Sequence, residues 1–151
     1  MSDHFIVIVP RDPLHVPSES TQRVVIDFLR GLTSSITSIA ANAKAAIRFF
    51  DCGGNFERVC CPCCASVIAM DWWQQRMDDD FDGEGFRLTK FDTPCCGASI
   101  NLNALVYDWP QAFGRYSWTI RNANIGAFPD SAKAELEAVT GISVAVIHRR
   151  T

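Results

Sequence analysis

Six of the chain's seven cysteines fall into two dense clusters, Cys60-Cys61-Pro62-Cys63-Cys64 and Thr93-Pro94-Cys95-Cys96-Gly97, with Cys52 just upstream of the first. A Cys-Pro-x-Cys turn aims two thiolates at one ion, because two intervening residues curl the backbone around it. A second such turn elsewhere in the chain completes a tetrahedral sulfur site. The clusters lie roughly thirty residues apart, long for a minimal zinc ribbon and wide enough to hold a helix between them. Cys61 and Cys64 have the required spacing, and Pro62 fixes the turn by locking φ. In the second cluster Pro94 and Gly97 take the places they would hold in a Cys-Pro-x-Cys-Gly knuckle. Cys96 matches the second cysteine, and Thr93 stands where the first should be. Threonine is a poor zinc ligand, so the fourth thiolate comes from elsewhere. Cys95 is the first choice because it is adjacent; Cys52 is its main rival, with Cys60 and Cys63 behind. The expected cofactor is Zn2+ on Cys61, Cys64, Cys95 and Cys96. The competing account is a set of reduced cysteines packed as small apolar residues.

Composition narrows the setting. At 151 residues the chain is expected to form one α+β domain, residues 1–151, large enough for a core of its own. An odd number of cysteines in adjacent pairs argues against a disulfide framework and for a reducing compartment, so a cytoplasmic location is expected. No apolar run approaches the length of a membrane span. The start, Met1-Ser2-Asp3-His4, has no basic n-region, and a secretory signal is not expected. A net charge of −3 gives no general drive toward nucleic acid or anionic lipid.

The flanks give the fold class. Phe5 to Val9 is an apolar run stopped by Pro10, a buried strand, and Arg11 to Pro17 is a loop. Ser18 or Ser20 caps a helix with Val24, Val25, Phe28, Leu29 and Leu32 at helical spacing and Gly31 near its end. Thr33 to Ser38 reads as loop or continued helix, and Ala45 to Phe50 as a second strand. Arg115 to Arg121 alternates as a strand with one wet face. Pro129-Asp130-Ser131 opens a helix that Gly141 closes, and Ile142 to Ile147 is a final strand. Strand, helix, strand, then strand, helix, strand is the split βαβ order of a ferredoxin-like sandwich. The cysteine-bearing middle, residues 52–110, is then a zinc-ribbon-like metal-binding insert between strands 2 and 3.

Three further patterns bear on function. Asp78-Asp79-Asp80-Phe81-Asp82-Gly83-Glu84 holds the opening half of a calcium loop, but Thr89 occupies the place of the closing acid, so a solvated acidic loop is the favoured reading. Trp72 and Trp73 are adjacent on an expected helix. Neighbouring helix positions point well apart, so one of the pair should be exposed enough to anchor a partner. Cys61-Pro62-Cys63-Cys64 also has the form of a thiol oxidoreductase motif, yet it lies mid-chain and leaves the second cluster without a role. The three histidines lie outside the cysteine clusters, and no nucleophile elbow, phosphate loop or metalloprotease pattern is present.

The motifs Asp51-Cys52-Gly53-Gly54-Asn55-Phe56-Glu57, Cys61-Pro62-Cys63-Cys64, Asp71-Trp72-Trp73, Thr93-Pro94-Cys95-Cys96-Gly97 and Tyr107-Asp108-Trp109-Pro110 occur in this order. The chain thereby resembles a family of small bacterial cytosolic zinc-ribbon-containing proteins of uncharacterised activity, over 49–122 and more loosely in the flanks. It departs from a ribbon-like knuckle at Ala65, where glycine is usual. The resemblance implies a metal-bearing segment and carries no activity with it.

The expected function is therefore non-enzymatic: a zinc-binding protein acting through protein–protein interaction. By analogy of size and charge it would be a bacterial immunity protein that neutralises a basic toxin. Trp73, Asp78, Asp79 and Asp80 are the expected partner-binding residues, the acids steering a basic partner and the indole anchoring it. The alternatives are a nucleic-acid-binding zinc ribbon and a thiol-disulfide oxidoreductase. The first must work with only Arg58, Arg76, Arg87 and Lys90 in the insert, against a denser set of acids.

Overall fold

The computed structural model describes residues 3–32, 38–123 and 125–151. The apolar run near the start becomes β1 (His4–Pro10), buried from Ile6 onward. α1 (Glu19–Leu32) begins where the Ser18 hydroxyl accepts the amide of Thr21, which satisfies one of the first-turn N–H groups. β2 (Ser38–Phe50) is longer than the expected second strand; of the ambiguous stretch before it, residues 33–37 lie outside the described residues, and Ser38 is already strand. Then come β3 (Arg58–Cys60), β4 (Val67–Ile68), α2 (Met70–Asp80), β5 (Phe91–Asp92), β6 (Ser99–Ile100), a 3-10 turn (Leu102–Ala104) and β7 (Val106–Asp108). β8 (Ala112–Arg121), α3 (Asp130–Thr140) and β9 (Val144–Arg150) complete the chain. Gly141 ends α3 in the left-handed region at φ 70°, where its amide returns to the Glu137 carbonyl.

The result is an α+β architecture. Four strands form one antiparallel sheet in the order β2-β8-β1-β9, beside a three-stranded sheet, β4-β3-β7, and the β5-β6 hairpin. On one face of the large sheet Ile6, Ile8, Tyr116, Trp118 and Ile120 pack with Val25 and Leu29 of α1 and Ala132 and Leu136 of α3. Alternation along the strands sends Val7, Val9, Ala145 and Ile147 to the opposite face, against Cys52, Ala112, Phe50 and Phe56. No helix among the described residues is long and apolar enough to cross a membrane.

One sheet detail differs from the sequence reading, and a second runs against the apolar character of its strand. The polar face of β8 is wet only at its end: Ser117 is buried, Arg115 and Thr119 are half-buried, and Arg121 alone is exposed. β8 is an interior strand, and its neighbours β1 and β2 flank those side chains. β9 is an edge strand despite its apolar character, because it pairs only with β1 along its length. Its outer edge is covered instead by the Asp51-Cys52-Gly53-Gly54 turn. The amides of Gly54 and Arg150 bond the carbonyls of Arg150 and Cys52 at 2.8 and 3.2 Å, and Asn55 Nδ2 donates to the His148 carbonyl. Gly53 sits there at φ 62°, and a Cβ on it would overlap the Arg150 carbonyl oxygen, so this position requires glycine. That turn protects the edge from pairing with another chain.

The segment between β2 and β8 has its own core of Val59, Cys61, Ile68, Trp73, Met77, Leu102, Leu105 and Tyr107. Ile47, Phe49 and Phe113, at the ends of β2 and β8, join it to the large sheet. This core fixes the platform on which the cysteines sit.

Candidate metal centre

Two hairpin turns carry the cysteine clusters. In the first, between β3 and β4, the amide of Cys61 bonds the Ser66 carbonyl at 2.9 Å and the amide of Ala65 bonds the Cys61 carbonyl at 3.0 Å. In the second, between β5 and β6, Thr93 bonds Ala98 at 2.9 Å and Gly97 bonds Thr93 at 3.0 Å. Position for position, Thr93, Pro94, Cys95, Cys96 and Gly97 repeat the hydrogen bonding of Cys61, Pro62, Cys63, Cys64 and Ala65. The repeat extends to the backbone: Ala65 takes φ 64° where Gly97 takes φ 72°.

An L-residue in the left-handed region costs about 1–2 kcal/mol that glycine does not bear. Ala65→Gly should therefore raise stability by about 0.5–1 kcal/mol, after the greater freedom of an unfolded glycine is set against the relieved strain. Denaturant midpoints of the metal-loaded protein would measure it. A lower midpoint in the variant would show that the turn does not hold Ala65 in this conformation.

The structure brings together Cys61, Cys64, Cys95 and Cys96, whose sulfurs all lie within 4.8 Å of one another. Cys61 Sγ and Cys96 Sγ are 3.7 Å apart. Four sulfurs each about 2.3 Å from a zinc ion stand about 3.8 Å from one another, so this spacing suits a tetrahedral metal. Cys61 is buried and the other three are exposed. Of the remaining cysteines, Cys52 and Cys60 lie outside this group, and Cys63 sits in the first turn beside Cys61. Cys52 is fully buried, its amide and thiol both bonding Gln111 Oε1. Cys60 pairs with Val67 and Val106 in the three-stranded sheet. Cys63 is exposed and its amide donates to Cys61 Sγ at 3.4 Å.

The asymmetry of the two turns explains the ligand set. Thr93 occupies the place of Cys61, but its hydroxyl accepts the Ala98 amide at 3.0 Å and lies 3.3 Å from Cys96 Sγ, so it closes the turn. Cys95 supplies the missing sulfur from the next position but one. Local hydrogen bonds favour thiolates on the first turn. The amide of Cys64, opposed by partial desolvation and aided by the amide of Cys63, brings the Cys61 thiol down to about 6. The Ser66 hydroxyl lowers Cys64, whereas desolvation, followed by the neighbouring Cys64, raises Cys95 to about 11. Cys95 thus resists becoming an anion beside Cys61 and Cys64, and a cation among them would remove that conflict.

The residues expected to meet a partner divide into two groups. Asp78 and Asp79 are exposed on α2, each accepting a hydrogen bond from a glutamine one turn earlier. Trp73 and Asp80 face inward, which corrects their expected surface role. Trp73 is 5 % exposed, its ring packed against Phe49, Phe56 and Tyr107 and its Nε1 donating to Tyr107 Oη at 3.2 Å. Asp80 is 8 % exposed and accepts the amides of Arg87, Leu88 and Thr89 at 2.8–3.0 Å. Leu88 adopts φ 54° there, so three successive N–H groups form a concave nest around the carboxylate. The residue pattern contained this signal: Trp73, Met77 and Asp80 fall at helical spacing on one face of α2, and all three are buried. Among the tryptophans, the exposed one is Trp109, at 42 %.

The acidic loop after α2 is tied by its own backbone. Asp82 Oδ1 accepts the amides of Glu84 and Gly85, which hold its carboxyl below the usual carboxylate range. No protein-family model, curated protein or solved structure matches the chain.

Proposed function

We propose that Cys61, Cys64, Cys95 and Cys96 hold one structural zinc ion, and that the protein is a non-enzymatic binding protein acting on a protein partner in the cytoplasm. The carrying observation is the four-sulfur group itself: two like turns converge their thiols to the spacing of a tetrahedral site. A closed four-sulfur site leaves no open position for water or substrate, which favours a structural ion over a catalytic one. Seven unpaired cysteines suit a reducing compartment. The strand order β2-β8-β1-β9, with α1 and α3 on one face, supports the ferredoxin-like reading with a zinc-ribbon-like insert. The ordered motifs support kinship with the small zinc-ribbon-containing proteins that the sequence resembles.

The partner class we propose is a basic toxin neutralised by an immunity protein. Exposed Asp78 and Asp79 support electrostatic steering of such a partner. The class itself rests on analogy of size and charge. The test of the site is metal content. Protein purified without chelator should carry about one zinc per chain, and its cobalt-exchanged form should show the intense visible absorption of a tetrahedral tetrathiolate. Thr93→Cys should restore metal to Cys95→Ser, because residue 93 stands where Cys61 does in the like turn. Stoichiometric absence of metal from the wild-type protein would refute the reading.

A further inference from the structure

Three of the four cations between β2 and β8 converge on one cavity. It has a volume of about 310 Å³ and opens between the end of α2 and the chain leading into β5, where Arg76, Arg87, Lys90, Thr89 and Phe91 line it. We infer that this cavity binds a phosphate-bearing small ligand, with its phosphoryl group held by Arg87 and Lys90 and its body resting on Phe91.

The charge arrangement carries the inference. The chain as a whole is acidic, so a local gathering of cations needs a reason. Two acids share the cavity wall, Asp79 and Asp80. Asp79 is engaged with Arg76, at 3.0 Å, and Asp80 is enclosed by its three backbone amides. Arg87 and Lys90 take part in no ion pair among the described residues. Arg87 is also positioned, since its Nη2 donates to the Asp79 carbonyl at 3.2 Å, leaving its other N–H groups available. Arg76 Nε is buried without a hydrogen-bond partner. Its guanidinium is held over the Trp72 ring, 5.5 Å from the centroid, and so cannot swing away into solvent without losing that contact.

Arg87 and Lys90, the two lining cations without an ion pair, offer charge-assisted donors to the several oxygens of a phosphoryl group, while Asp79 and Asp80 leave the cavity's charged side chains at a net +1. The Thr89 hydroxyl adds a donor for a third oxygen. Phe91 offers an apolar face, and its ring is braced edge-on by Trp72 at 5.3 Å. The cavity volume is at the small end of ligand sites and admits a ligand about the size of a mononucleotide. Such chemistry has two sources, a free phosphorylated metabolite and the end of a single-stranded nucleic acid. Both present a phosphate beside a planar or apolar body.

The inference is independent of which metal the cysteines hold, and its test uses the full chain as purified. Amide resonances of Thr89, Lys90 and Phe91 should shift on titration with inorganic phosphate, and shift at lower concentration with adenosine monophosphate. Lys90→Gln should weaken both by about tenfold, the effect of removing one charge-assisted contact, with metal content and thermal midpoint unchanged. Arg87→Gln should weaken binding similarly or more. A 5′-phosphorylated oligonucleotide that binds more tightly than the mononucleotide, with a steeper salt dependence, would assign the site to nucleic acid ends; equal or weaker binding would assign it to a free metabolite. Phosphate that shifts none of these resonances, shifts that survive Lys90→Gln and Arg87→Gln, or preference for an acidic peptide over phosphate would each overturn the inference.

Discussion

Cys61→Ser is expected to release the metal and unfold the segment between β2 and β8, while the large sheet survives. Cys61 is the one ligand that belongs to a hydrophobic core, being 1 % exposed among Val59, Ile68, Trp73 and Leu102. Its thiol also receives the Cys63 amide, so the first turn is built around this sulfur. Structural zinc contributes folding free energy directly, roughly 10–16 kcal/mol of apparent affinity in isolated zinc fingers. Only part of that would be lost here, because the segment has an aromatic core in addition to the ion. The surrounding strands are only two or three residues long, however, and cannot stand alone. Hydrogen exchange separates the two regions: amides of Val59 and Ile68 should lose protection, and those of Ile6 to Val9 should keep it. Stripping the wild-type protein with a strong chelator should give the same pattern. Cys63→Ser should retain the metal, and Cys52→Ser should retain it with some loss of stability from the Gln111 contact. Full metal occupancy in Cys61→Ser would overturn the ligand assignment.

The sequence made some of this arrangement readable for identifiable physical reasons. β1 is legible because a strand buried on both sides must be apolar throughout, and Phe5 to Val9 is. α1 and α3 announce their ends through Ser18, Pro129 and Gly141, residues whose preferences are local. The first half of β2 was not legible. Ser38 to Lys44 is mostly exposed and rich in alanine, which has little strand preference; pairing with β8 on one side selects its conformation, with a shift of register between Ala43 and Arg48. In the sequence, Cys52 is the main rival for the fourth ligand. The glycine that follows it, Gly53, is required instead by β9, far away in sequence, which no local pattern reveals. The convergence of Arg76, Arg87 and Lys90 was equally hidden, since it depends on the Asp80 nest folding the chain back beside α2.

Trp73→Ala is expected to be a stability variant with no separate effect on partner binding. Truncating a buried tryptophan costs about 3–5 kcal/mol, from lost burial and the cavity that remains. Three aromatic rings within 6.0 Å centroid distance, Phe49, Phe56 and Tyr107, would border that cavity. Trp73 Nε1 also donates to Tyr107 Oη, which in turn donates to the Leu102 carbonyl at 2.7 Å. Removing the indole leaves a buried phenol one partner short, adding to the cost. For a chain of this size the combined loss should lower the thermal midpoint by on the order of 10 °C. Trp73→Phe separates the two contributions, keeping most of the apolar contact while losing the donor, and should fall between wild type and alanine. Trp109→Ala serves as the surface control: its ring is 42 % exposed, and its removal should change the midpoint far less. A Trp73→Ala protein with an unchanged midpoint but weakened association with a partner would return this residue to the surface role expected from the adjacent Trp72-Trp73 pair. A lowered midpoint with normal binding below it would place Trp73 in the core that holds the two cysteine turns in position.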